Sequence, residues 1–181
     1  GSEMCIRDSF SVAGLLPPGQ ALITRRPFYA PHHTVTQAAL IGGGSGIPRP
    51  GMVSLAHRGV LFLDELPEFR KNVLDGMRQP MEERKVQIAR SAGMVTYPSD
   101  FILVAAMNPC PCGYYPDRNK CRCTQPQIEK YLGKISGPIL DRIDLCVELH
   151  PVDILHLQKT KTEKSSEDMK RQIRHARERL S

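Results

Sequence analysis

Residues 59–69 read GVLFLDELPEF, an apolar run that ends directly on two adjacent carboxylates, Asp64 and Glu65. A run this short, bounded by Gly59 and Pro67, predicts a strand buried on both faces of a parallel sheet rather than a helix. Both acids then stand at the strand's carboxyl end, the edge at which open α/β sheets bind ligands. A strand-terminal Asp there is suited to hold magnesium on phosphates. A plainer reading also fits: Asp64, Glu65 and Glu68 suit the first turn of a helix starting near Pro67, where they face its dipole.

Two further stretches set that choice in context. Residues 101–108, FILVAAMN, form a second buried-strand pattern ending on one polar side chain. Asn108 can donate to a phosphate oxygen or orient a water without adding charge. Residues 136–145, SGPILDRIDL, place Arg142 between Asp141 and Asp144 beside a third apolar run. A lone Arg in such a place is a surface ion pair; as third member of an ordered set it is suited to stabilise phosphoryl transfer.

LDELPEF, AAMNP and GPILDRIDL resemble the Walker B, sensor 1 and arginine-finger segments of an AAA+ ATPase. The longer strings RRPFYAPHHTVTQAALIGGG, IPRPGMVSLAHRGVLFLDELPEF and AAMNPCPCGYY are similar to the magnesium-chelatase-like bacterial AAA+ family, which includes the competence-associated branch-migration helicase. The resemblance covers roughly residues 11–150. It implies an α/β P-loop NTPase sandwich with a parallel central sheet and a β-hairpin insertion. It also implies ATP and Mg2+ as cofactors, DNA as partner, and a homo-oligomeric, hexameric ring. Within it Asp64 organises magnesium, Glu65 polarises the attacking water, Asn108 orients that water, and Arg142 reaches the ATP of a neighbouring subunit.

Two rival functions belong to other classes. A metal-chelatase motor uses the same ATPase parts to drive magnesium into a tetrapyrrole, but its pattern after sensor 1 is an acidic NPEEG-like turn where this chain has NPCPCGYY. A non-catalytic, zinc-bearing interaction module leaves the three ordered motifs unexplained.

No GxxxxGK[ST] phosphate loop occurs in the 181 residues. GLLPPGQA at 14–21 has the glycine spacing, yet offers Gln20 and Ala21 where a Lys and a hydroxyl are required. The expectation is a fragment lacking the Walker A unit and most of the lid, close to inert alone. Residues 1–9, GSEMCIRDS, fit nothing that follows and read as a non-native leader. Residues 10–158 then form the partial ATPase core and 159–181 the start of the lid.

The chain's 40% hydrophobic residues suffice for one core, and no apolar run approaches the length of a membrane span. With no secretory signal and no disulfide-like cysteine framework, a cytoplasmic protein is expected. The net charge of +6 is compatible with nucleic acid but modest. Residues 22–28 suggest a strand, 34–41 a short helix and 42–51 a Gly/Pro-rich loop. Phe69, Val73, Met77 and Met81 recur at helical spacing and predict one helix over 69–81. Residues 85–91 and 94–97 alternate about Ala92 and Gly93, which predicts a hairpin. This hairpin and the loop GSGIPRPG resemble the family's pore-facing insertions, making Arg49, Lys85 and Arg90 candidate phosphate contacts or, equally, solvated charges. Residues 165–180 are an amphipathic helix with a capping-box start at Ser165 and Asp168.

Cys110, Cys112, Cys121 and Cys123 form C-x-C-x8-C-x-C, enough thiolates to close a tetrahedral zinc site; free reduced thiols are the alternative. A zinc there is structural and leaves the catalytic metal to Asp64. His32 and His33 lack partners at metal spacing and read as structural or of unknown role.

Overall fold

The structure is a computed structural model that describes residues 9–14, 25–44, 48–90, 93–149 and 165–179. Most of the leader 1–9, most of GLLPPGQA and residues 45–47 of the glycine loop lie outside the described residues. The chain divides into two units, Gly1–Asp144 and Leu145–Ser181.

The first unit is mixed α/β around a three-stranded parallel sheet. Its strands are β1 (Phe28–Tyr29), β4 (Val60–Leu63) and β7 (Ile102–Ala105), with β4 in the centre. The register aligns Val60 with both Phe28 and Ile102, and Leu63 with Ala105. Short strands β2 (Gly42–Gly43) and β3 (Arg49–Pro50) pair antiparallel, as do β5 (Lys85–Arg90) and β6 (Gly93–Pro98). The loop expected over 42–51 thus carries a two-residue ladder, closed where Gly51 packs so tightly on Gly42 that a Cβ would meet its nitrogen at 2.4 Å.

Helices α1 (Gln37–Ile41) and α2 (Met52–Leu55) precede β4. Thr36 caps α1 by accepting from the Ala39 amide. After β4 come a 3-10 turn (Leu66–Glu68), α3 (Lys71–Gly76) and α4 (Arg78–Glu83). The single helix expected over 69–81 is therefore two. Pro80 has no N–H to continue a ladder back to Gly76, and a proline is tolerated only in a first turn, here that of α4. The apolar period survives the break, since Phe69, Val73 and Met77 are all buried.

The core lies on one face of the sheet. Leu61 and Leu63 point into it and meet Leu40, Val53, Leu66, Phe69, Val73, Met77 and Val86. The opposite face carries Phe28, Ile102 and Val104, which are 66%, 61% and 42% exposed. The expectation that both apolar strands are buried on two faces is corrected here: among the described residues nothing large covers that side, so β4 alternates and β7 is mostly exposed. The hairpin formed as expected, except that Gly93 belongs to β6, paired with Arg90.

After β7, residues 106–124 run without helix or strand to α5 (Gln125–Leu132), and α6 (Gly137–Leu140) follows. In the second unit, α7 (Ser166–Glu178) starts on the expected capping box, with Ser165 and Asp168 exchanging side-chain and backbone bonds. Met169 and Ile173 on its apolar face are half exposed. Among the described residues no helix is long and apolar enough to cross a membrane.

Candidate active site and cysteine cluster

The carboxyl end of β4 is knitted to that of β7. The Ala106 amide donates to Leu63 O, and Ala106 O accepts from the Leu66 amide. Asp64 and Glu65 are held in the loop these two bonds enclose. Glu65 adopts a left-handed backbone, φ 53° and ψ 48°, a conformation that costs a non-glycine residue about 1–3 kcal/mol. The turn beyond it fixes that geometry: Glu68 N donates to Glu65 O at 2.8 Å, and Pro67 limits the backbone. The acids are therefore in a strand-to-turn corner, not in the first turn of an α-helix.

Both side chains face outward. Asp64 Oδ1 accepts from the Glu65 amide at 2.9 Å, and Asp64 has no cation at ion-pair distance among the described residues. An exposed oxygen donor at a strand end suits a hard cation such as magnesium. Asn108 follows β7 at the same sheet edge and is exposed. Register thus brings Asp64, Glu65 and Asn108 to one edge, as the sequence predicted.

The structure adds His33 to that edge. Its Nδ1 lies 3.3 Å from Glu65 Oε2, while its ring is 4.0 Å from that of His32 and meets Phe69 edge-on. Sequence reading left both histidines without a role. The available signal was positional: PHHT directly follows β1, the strand beside β4, and so emerges at the edge that carries the acids. Lys134, 3.2 Å from Glu68, is a second neighbour that no motif announced.

Arg142 is not brought to this cluster. It follows α6 and donates to Pro138 O and to Glu82 Oε1 on α4; its Nε is buried without a hydrogen-bond partner among the described residues. Arg49 stands on β3 and Lys85 at the base of β5, 3.8 Å from Glu83. Arg90 ends β5, five residues from Lys85, so the two lie about 17 Å apart along the strand. The two insertions are joined: Tyr97 Oη donates to Pro48 O at 2.7 Å, and Ile88 packs on Gly42.

The four predicted cysteines converge. Their sulfurs all lie within 4.8 Å of one another, with Cys110 and Cys121 buried. Burial opposes ionisation of Cys110, but the Tyr115 amide, the Cys112 thiol and further donors outweigh it and bring its pKa down to about 6. Tyr131 of α5 joins this cluster to the acidic edge. Burial raises its phenol pKa first, and the charges of Glu68, Glu65 and Cys110 push it further the same way.

A parallel α/β sheet with an acidic pair at the carboxyl end of its central strand defines the class, and the family follows from sequence comparison. Residues 3–157 match the model of the family described as magnesium chelatase, subunit ChlI, and the chain belongs to that family. It is 54% identical over 140 residues to an uncharacterized protein of Mycobacterium tuberculosis, covering 77% of this chain and 28% of that one. It is 52% identical over 125 residues to competence protein ComM of Haemophilus influenzae, 69% of this chain and 24% of that one. The 67 kDa magnesium-chelatase subunit of Chlorobaculum tepidum is 26% identical over 179 residues, covering 90% and 24%. The chain thus spans about a quarter of the length of the curated relatives it matches.

Proposed function

We propose that this chain is the core of a ring-forming AAA+ ATPase that couples ATP hydrolysis to DNA remodelling. The observation that carries the reading is the Asp64–Glu65 corner at the end of central strand β4, with Asn108 on the adjacent strand's exit. Asp64 is the residue to hold magnesium, which when bound neutralises phosphate charge. Glu65 supplies a carboxylate that takes a proton from water, and Asn108 orients that water by its amide. Zinc enters only as a structural ion at the four cysteines, outside the hydrolytic step. The higher identity to a competence protein than to a chelatase subunit, together with NPCPCGYY after Asn108, supports DNA as the partner.

The second reading, a chelatase-type motor, rests on the family and on the 26% similarity to a chelatase subunit. One experiment separates them. In the full-length protein Glu65→Gln should retain ATP binding and lose roughly 10²–10⁴-fold in turnover, as removal of a positioned proton acceptor does. Asp64→Asn should instead weaken the dependence on magnesium. Wild-type turnover should rise with branched or single-stranded DNA; a rise only with a tetrapyrrole-binding partner selects the chelatase reading. Near-normal turnover in Glu65→Gln would refute the assignment of the site.

A further inference from the structure

Residues 106–124 pose a folding problem that apolar packing does not solve. Structureless connections beyond about 12–15 residues are uncommon in a compact domain. Here the local core consists of Cys110, Cys121 and Ile128, with Tyr115 and Cys123 against it. One isoleucine is a poor anchor for such a segment, and the other buried groups are thiols.

We infer that Cys110, Cys112, Cys121 and Cys123 hold a structural zinc ion, and that its occupancy keeps Asn108 in place. A zinc–thiolate bond of about 2.3 Å in a tetrahedron separates its sulfurs by about 3.8 Å. The separations found are 3.4 Å for Cys110 to Cys112, 3.8 Å for Cys110 to Cys121 and 3.6 Å for Cys112 to Cys121. These three match one face of such a tetrahedron, and Cys123 Sγ lies within 4.8 Å of each of these sulfurs. Iron–sulfur clusters spread their cysteines over several irons, which would hold the sulfurs further apart. The outer contacts fit as well: the Tyr115 amide donates to Cys110 Sγ at 3.4 Å, and backbone amides of Tyr114 and Cys123 serve Cys112 and Cys121. Such donors offset thiolate charge around a metal.

The link to Asn108 is short: it stands two residues before Cys110. Gly113 N donates to Cys110 O, closing a turn that folds back over the strand exit. Gly113 has φ +81°, and a Cβ on it would lie 3.8 Å from Asn108 Cγ. The first cysteine pair therefore sets the turn that passes beside the exposed Asn108 amide. The catalytic meaning of that turn rests on the ATPase reading; the zinc site and the placement of Asn108 do not.

The protein, purified reduced and without metal-affinity resin, should contain about one zinc per chain, and Cys110→Ser/Cys121→Ser should contain essentially none. Cobalt exchange should give the visible bands of a tetrahedral thiolate site. To separate ligand loss from misfolding, the exposed Cys112 serves: Cys112→His should retain zinc and Cys112→Ala should lose it more than tenfold more readily to a chelator. Chelation should expose four further thiols, speed tryptic cleavage at Arg118, Lys120 or Arg122 about tenfold, and shift the Asn108 side-chain amide resonance while that of Asn72 on α3 stays. Absence of zinc in fresh reduced protein, iron in its place, or equal zinc retention in Cys112→Ala overturns the site. Zinc present with an unmoved Asn108 amide overturns the coupling. Every readout is taken without ATP, so a failure of hydrolysis leaves this result standing, and the reverse.

Discussion

His33 Nδ1 stands 3.3 Å from Glu65 Oε2, and the two side chains come from adjacent strand exits of the same sheet edge. Glu65 is half exposed on a left-handed backbone, so its carboxylate needs an outside partner to settle on one rotamer. The ring of His33 is itself held between His32 and Phe69. In the full-length protein, His33→Ala should lower kcat about tenfold, a loss of roughly 1.4 kcal/mol, with ATP affinity changed less than twofold. His33→Asn should recover part of the rate. Equal losses in binding and turnover would show His33 to be structural only.

Arg142 is committed to Glu82 within its own chain. To act on a neighbour's nucleotide it must leave that partner. Arg142→Ala subunits should bind ATP yet hydrolyse it about 10³-fold more slowly, and mixed rings should lose more activity than dilution explains. Glu82→Gln, which loosens the hold, should keep wild-type activity or exceed it. A loss in Glu82→Gln as deep as that in Arg142→Ala would make the pair a structural hinge and end the finger assignment.

The bond from Tyr97 to Pro48 carries the loop of Arg49 on the hairpin of Lys85 and Arg90. If this surface grips DNA through phosphates, Arg49→Ala and Arg90→Ala should each weaken binding alike on unrelated sequences. Each should also reduce the slope of log K against log salt by about 0.7–0.9, one contact's worth of counterion release. Titration at four salt concentrations measures it; an unchanged slope assigns these charges to solvent.

At the opposite end of the strands, His57 is buried and its Nδ1 accepts from the Asp100 amide. Burial lowers its pKa, Arg58 lowers it further, and Asp100 opposes both. The unfolded chain therefore binds a proton near pH 6.5 that the folded protein refuses. Stability is complete above that value and declines as pH falls from about 6.5 towards the depressed folded pKa. Thermal melts from pH 8 to 5 should show the decline, and His57→Gln should flatten it although its melting point at pH 8 is lower.

GVLFLDELPEF by itself determined the central strand, the edge at which it opens and the acids placed there, because a short apolar run between Gly59 and Pro67 is a local signal. The capping box at Ser165 and the hairpin about Gly93 were legible for the same reason: each is set by residues within a few positions. The break between α3 and α4 was written in Pro80, but the apolar period ran across it and masked it. Only the tertiary structure decided that β4 is covered on one face, since burial depends on what other elements supply. It alone set His33 on Glu65, Arg142 on Glu82 and four sulfurs within 4.8 Å, because strand register and loop closure, not sequence spacing, bring distant residues together.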